Sequence, residues 1–187
     1  MKVLLVGSGG REHALAWGLA RSPRLTELHA APGNPGIAQL GHCHPVRAED
    51  GEGLLALARS LDVELVVVGP EAPLVAGVGD ELRHAGLAVF GPSAAAARIE
   101  GSKSFAKEVM SAAGVPTADT LAVARAPCVL KVDGLAAGKG VFVCHTREEL
   151  DRASPHASAC SRPPEPTRST FIAVMLEGAP ASLDAPS

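Results

Sequence analysis

Three apolar runs that each stop at a glycine-containing turn narrow what this chain can fold into. Lys2-Val3-Leu4-Leu5-Val6 runs into Gly7-Ser8-Gly9-Gly10, Val63 to Val68 into Gly69-Pro70-Glu71, and Leu87-Ala88-Val89-Phe90 into Gly91-Pro92-Ser93. Runs dominated by valine and leucine, with Glu64 the one polar residue inside the second, have the pattern of a strand covered on both faces, as in parallel sheets. Helical spacing follows the runs. Alanines and leucines continue to about Arg21, leucine and alanine recur at 54, 55, 57, 58 and 61, and Leu74, Val78 and Leu82 share one helix face. Strand and helix in alternation predict an α/β, Rossmann-like parallel sheet with a ligand rim where its strands end. A strand over Glu27 to Ala31, stopped by the turn cluster Pro32-Gly33-Asn34-Pro35-Gly36, is placed to line the same rim.

Length and composition exclude several classes. A chain of 187 residues can build one domain or one and a half and bury a real core. Aromatic residues make up 3%, so aliphatic packing must carry that core, and a net charge of −3 gives no basic footprint for nucleic acid. Cys43, Cys128, Cys144 and Cys160 form no C-x-x-C pair, which argues against a zinc site or a disulfide framework and for a reducing, cytoplasmic setting. The opening apolar run is too short, and too soon followed by Arg11-Glu12-His13, to be a signal peptide. No run is long enough to span a bilayer. Small molecules, with neither nucleic acid nor membrane, are the expected partners.

The turn after the first strand leaves N–H groups free at a helix mouth, a ready anion site. It departs from a dinucleotide fingerprint: a third glycine would fall at Glu12, and the second strand ends in Pro32-Gly33-Asn34 without an acid for a ribose. Glu71 on the same rim suits either the dipole of the helix it opens or a substrate. The first domain closes near Glu100. Ser102-Lys103-Ser104 then leads into a helix carrying Phe105, Val109 and Ala112, ended by Gly114-Val115-Pro116. A cation at Lys103 opposes the helix dipole, a small cost that is easier to understand if it faces a bound anion.

Ala126 to Cys144 is two strand-forming runs, Pro127 to Val132 and Val141 to Cys144, across the loop Asp133-Gly134-Leu135-Ala136-Ala137-Gly138-Lys139-Gly140. It is not a P-loop: Gly134 and Gly138 are too close, Lys139 is followed by Gly140, and strand rather than helix comes next. A glycine loop brings backbone N–H groups close to an anion, and Lys131 and Lys139 are point cations that suit a polyphosphate. A hairpin with merely solvated lysines is the alternative. Downstream, Thr146-Arg147-Glu148-Glu149 is a capping box opening a helix. Ala153 to Thr170, rich in serine, proline and alanine, reads as loop or disorder, and Phe171 to Leu176 is a last apolar run.

From Met1 to about Asp151 the blocks VLLVGSGGREHALAW, APGNPG, VVVGPEAPLVAGV, VFGPS, EGSKSFAK, GVPTA and LKVDGLAAGKGV resemble those of phosphoribosylamine–glycine ligases, in the same order. The resemblance implies a Rossmann-like domain over 1–100 and, over 101–187, part of the smaller ATP-grasp subdomain with a divergent tail from 151. It implies ATP-dependent ligation of 5-phosphoribosylamine and glycine through glycyl phosphate, in purine synthesis, with ATP and Mg2+ as cofactors. By motif match, Lys103, Lys131, Gly138, Lys139 and Gly140 hold the ATP phosphates. Gly9, Gly10, Arg11, Gly33, Asn34, Gly69, Pro70 and Glu71 line the sugar-phosphate side. Departures from the pattern imply a truncated chain, with the metal ligands beyond its end. Ala173-Val174 stand where the family has a glutamate pair, and Ala179-Pro180 replace another. A locally altered reading frame between intact stretches produces such a pattern. A non-catalytic phosphosugar- or nucleotide-binding remnant is the alternative to an enzyme.

Overall fold

The structure, a computed structural model, describes residues 1–118, 120–121, 124–135, 140–160 and 171–175, with 121, 154–160 and 171–175 as backbone only. It divides into two compact units, Met1–Arg98 and Ile99–Ser187. In the first, β1 (Lys2–Gly7) leads to α1 (Gly10–Ala20), β2 (Glu27–Pro32), β3 (His42–Cys43), α2 (Gly51–Ser60) and β4 (Leu65–Val68). Two short helices, α3 (Glu71–Val75) and α4 (Val78–His84), precede β5 (Val89–Phe90) and α5 (Ala94–Gly101).

The five strands are parallel and lie in the order β3-β2-β1-β4-β5. Central β1 is apolar on both faces because both are covered. Leu4 and Val6 join Val66, Val68, Leu54, Ala58 and Leu82 on one side, while Val3 and Leu5 join Ala16, Leu28, Ala30, Ile37 and Val67 on the other. Each large aliphatic side chain among them contributes about 1.5–3 kcal/mol by leaving water. Every strand runs the same way, so the turns after β1, β2 and β4 come to one edge.

Three elements of this unit depart from the sequence expectation. The run Leu87 to Phe90 yields only a two-residue edge strand, Val89–Phe90, with Phe90 68% exposed instead of covered, because an edge strand has a neighbour on one side only. Two-residue β3 has no apolar run to announce it; pairing of His42 and Cys43 with His29 and Ala30 defines it. The expected helix from Leu74 to Leu82 breaks in two at Gly77, which has φ +95°. Leu74, Val78 and Leu82 are nevertheless all buried, as the spacing predicts.

The second unit starts with α6 (Lys103–Ala112), followed by β6 (Thr120–Leu121), β7 (Cys128–Val132), β8 (Val141–Cys144), α7 (Arg147–Cys160) and β9 (Phe171–Met175). Its sheet runs β6-β9-β7-β8 and is antiparallel. The expected hairpin is present, with Cys128 opposite Cys144 and Lys131 opposite Val141. Alternate β7 residues Cys128, Leu130 and Val132 are buried against Leu150 and Ala153 of α7.

The capping box at Thr146 forms as the sequence indicates: Glu149 N donates to Thr146 Oγ1, and His145 N and Thr146 N donate to Glu149 Oε2. Against expectation, α7 runs on to Cys160 instead of yielding to loop at Ala153. Ala153, Ala157 and Ala159 are strong helix formers, and Pro155 removes one backbone donor without ending the helix. Phe171–Met175 is an interior strand between β6 and β7. Residues 161–170 and 176–187, with the replaced pair Ala179-Pro180, lie outside the described residues.

Candidate functional site

Each unit presents one place where the predicted residues converge. In the first, backbone bonds tie the turns together: Gly33 N donates to Gly7 O at 3.1 Å and Gly69 N to Val6 O at 3.0 Å. Asn34 is spent on structure. Its Nδ2 donates to Ser8 O at 2.9 Å, and its Oδ1 accepts from Gly36 N and Ile37 N. Gly33 is required by two independent facts, a φ of +72° and a Cβ position only 2.3 Å from Cys43 Sγ. Gly10 opens α1 with empty space where a side chain would be, so its turn can meet a ligand closely.

Arg11 and Glu71 face each other at 2.5 Å, joining α1 to the start of α3, with Pro70 capping α3. Its own backbone N–H, then the Arg11 guanidinium, hold the Glu71 carboxyl below the usual carboxylate range. Glu71 therefore serves the helix start and Arg11 together. Of the eight residues expected on the sugar-phosphate side, Gly9, Gly33, Asn34, Gly69 and Pro70 sit on these three turns, and Gly10, Arg11 and Glu71 in the first turns of the helices α1 and α3 that follow. The rim offers N–H donors at the mouth of α1, a setting for an anion.

In the second unit, Lys103, Ala106, Lys107 and Met110 form one stripe of α6 and, with Thr117, Ala118 and Lys131 of β7, line a cleft of about 270 Å³. The helical spacing i, i+3, i+4, i+7 puts these four on one face. Lys103 Nζ donates to Gly134 O at 2.8 Å. Lys107 Nζ donates to Thr117 Oγ1 at 2.6 Å and to Ala118 O. Three ammonium groups share a lining that, among the described residues, contains no carboxylate. Such an arrangement is relieved by a polyanion, and lysine serves phosphate as a point charge.

Asp133 is the nearby acid, and it is fully engaged. Its carboxylate accepts from Lys103 N, Ser104 N, Ser104 Oγ and Gly134 N at the start of α6. Burial alone would push this carboxyl up; the Ser104 hydroxyl and the Lys103, Ser104 and Gly134 N–H groups outweigh it and hold it below its ordinary value. A bound anion is thus not needed to balance Lys103 against the helix dipole. Asp133 does it.

Of the residues expected at the ATP phosphates, Lys103 and Lys131 are together in the cleft, and buried Gly140 accepts from Val132 N at 2.8 Å to close the hairpin. Gly138 and Lys139 lie outside the described residues. Among the described residues no cluster of three or more His, Cys, Asp or Glu could hold a metal ion. Lys107 went unmarked in the sequence, although four residues from Lys103 is the spacing that shares a helix face. Asp133 read there only as loop. Among the described residues no helix is long and apolar enough to cross a membrane.

Residues 1–100 match the family described as phosphoribosylglycinamide synthetase, N domain. The phosphoribosylamine–glycine ligase of Streptomyces coelicolor is 55% identical over 174 residues, covering 87% of this chain and 41% of that protein. The Rhizobium meliloti ligase is 53% identical over 161 residues, 80% of this chain and 38% of that one. Among solved structures, the Thermotoga maritima phosphoribosylamine–glycine ligase aligns with a TM-score of 0.67 at 28% identity, over 94% of this chain and 44% of that one. A Staphylococcus aureus N5-carboxyaminoimidazole synthetase complexed with ADP shares the fold at a TM-score of 0.71 and 13% identity, over 94% of this chain and 47% of that one. The chain thus spans about two-fifths of the length of the curated relatives it matches. More than half of its residues fall under the family's N-domain match, and the turns described above lie within that match: this chain belongs to the phosphoribosylglycinamide synthetase (phosphoribosylamine–glycine ligase) family.

Proposed function

We propose that this chain provides the sugar-phosphate rim and part of the ATP-phosphate cleft for ATP-dependent ligation of 5-phosphoribosylamine to glycine. The observation that carries the ATP half is the cleft of Lys103, Lys107 and Lys131, which has three cations and, among the described residues, no carboxylate in its lining. In the reaction, a glycine carboxylate oxygen takes the γ-phosphoryl group of ATP, giving glycyl phosphate and ADP. The sugar amine then attacks the acyl carbon: the C–N bond forms, the C–O bond to phosphate breaks, and the amine gives up a proton.

Neither step needs a side-chain nucleophile. Each needs charge neutralisation, orientation and exclusion of water from a hydrolysable intermediate. Lys103, Lys107 and Lys131 supply the first. The donors at the mouth of α1, with Arg11 held by Glu71, supply orientation at the sugar phosphate.

A second reading is binding without turnover. It is favoured by a cleft lined entirely from residues between 103 and 131, one corner of α6 and β7, because enclosure supplies much of a ligand's affinity. Release of ADP by the purified chain separates the two. Release that requires both glycine and phosphoribosylamine supports the ligase. Binding of ATP without release supports the second reading, and absence of both refutes the two together.

A further inference from the structure

Glu12 lies in the first turn of α1 and is 3% exposed, a carboxylate sealed inside the glycine turns of the first unit. Its Oε2 accepts from Gly9 N at 2.6 Å. Gly9 has no side chain to return the bond, so half of a capping box rests on Glu12 alone. Three glycines leave the space it fills. A Cβ at Gly7 would stand 2.5 Å from Glu12 Cγ, one at Gly69 2.5 Å from Cγ and 2.6 Å from Oε1, and one at Gly9 2.8 Å from Oε2. Gly7 and Gly9 belong to the turn after β1, and Gly69 to the turn after β4, its neighbour in the sheet. Among the described residues Oε1 is the one buried side-chain oxygen or nitrogen without a hydrogen-bond partner.

A carboxylate in such a place is costly, since a buried, half-satisfied charge is destabilising compared with an apolar group of the same shape. Packing alone would be served better by leucine or methionine. What an apolar group cannot do is hold the Gly9 N–H. We propose that Glu12 is the positioning residue of the sugar-phosphate rim. It is a buried strut that fixes the turn after β1 against the turn after β4 and so aims the N–H donors at the mouth of α1 outward at a phosphate. It does not touch the ligand. The proposal rests on the reading of this rim as a phosphosugar site.

The test compares the full chain with Glu12→Gln and Glu12→Ala, using ribose 5-phosphate as the probe. Glutamine keeps the length and an oxygen for Gly9 N–H while removing the charge; alanine removes the acceptor. Two readouts are taken, amide hydrogen exchange at Gly9 and Gly10, and probe binding by calorimetry. Exchange at Leu4 and Val67, in the centre of the sheet, reports whether each variant keeps its fold. The strut predicts that Glu12→Gln retains slow Gly9 exchange and binds within about threefold of wild type, under about 1 kcal/mol. Glu12→Ala should speed Gly9 exchange at least about tenfold with the sheet amides still protected, and weaken binding by about tenfold or more.

Unchanged Gly9 exchange in Glu12→Ala overturns the proposal. So does equal loss of binding in both variants while Gly9 exchange stays slow in Glu12→Gln, because charge rather than anchoring would then be responsible. If wild type fails to bind the probe, the phosphosugar reading falls, and with it the claim that the strut serves a ligand, even where Gly9 exchange responds as expected. If wild type and Glu12→Ala bind alike, the phosphosugar reading stands and the strut falls.

Discussion

The positive charge of Lys103 falls in the first turn of α6, where the dipole favours an anion, and the Asp133 carboxylate, from the end of β7, supplies one. Replacing Asp133 by alanine leaves the Lys103 and Ser104 N–H groups without this acceptor, which costs about 1–2 kcal/mol of stability. The folded-state pKa of Asp133 is depressed, so its stabilisation is present above the ordinary carboxylate value of about 3.9 and is lost as pH falls through the lower folded value. Urea unfolding of the second unit, repeated between neutral and strongly acid pH, should show a steeper acid loss for wild type than for Asp133→Asn. Parallel pH curves would contradict the cap. Lys131 is different in kind, since it lines the cleft and makes no ion pair among the described residues. Lys131→Ala should leave the unfolding midpoint unchanged and weaken ATP binding by about tenfold or more, as expected for loss of a charge-assisted contact.

Between elements, the break separating α3 from α4 is set by one backbone position. Gly77 has φ +95° and nothing within 4 Å of a would-be Cβ, so alanine there is strained without being crowded. Gly77→Ala should cost about 1 kcal/mol in urea unfolding, while Gly10→Ala, with open space and ordinary φ, should change stability by less than about half that. Equal effects would contradict the assignment. These elements also show what was legible in the sequence. β1 and β4 announce themselves because burial on both faces demands apolar runs, while β2, which carries Glu27 and His29, is marked by the turn cluster that stops it. β3 does not, because two residues carry no period and His42 owes its place to pairing with His29. The course of α7 past Ala153 was obscured by Pro155, whose local cost the rest of the helix tolerates. Lys103 and Lys131 could be picked out beside their glycines and strands. Lys107 was legible only through its four-residue spacing from Lys103, and Asp133 and Glu12 were not, because their roles depend on which face meets which turn.

At the scale of the molecule, the two units keep separate cores, Leu54 buried in one and Leu130 in the other. Leu→Ala at either should cost about 2–5 kcal/mol, and hydrogen exchange should find the loss in the unit that carries the change. Equal loss of protection in both units would show a single cooperative block instead. The proposed function divides the same way, with sugar phosphate at the turns of Met1–Arg98 and nucleotide phosphates at the lysines of Ile99–Ser187. Titration of the isotopically labelled chain with ATP, followed by NMR, tests that assignment most directly. The lysine cleft predicts shifts concentrated at Lys103, Lys107, Met110 and Lys131 and largely abolished by Lys131→Ala; shifts confined to the turns of the first unit, or an undiminished response in Lys131→Ala, would contradict it.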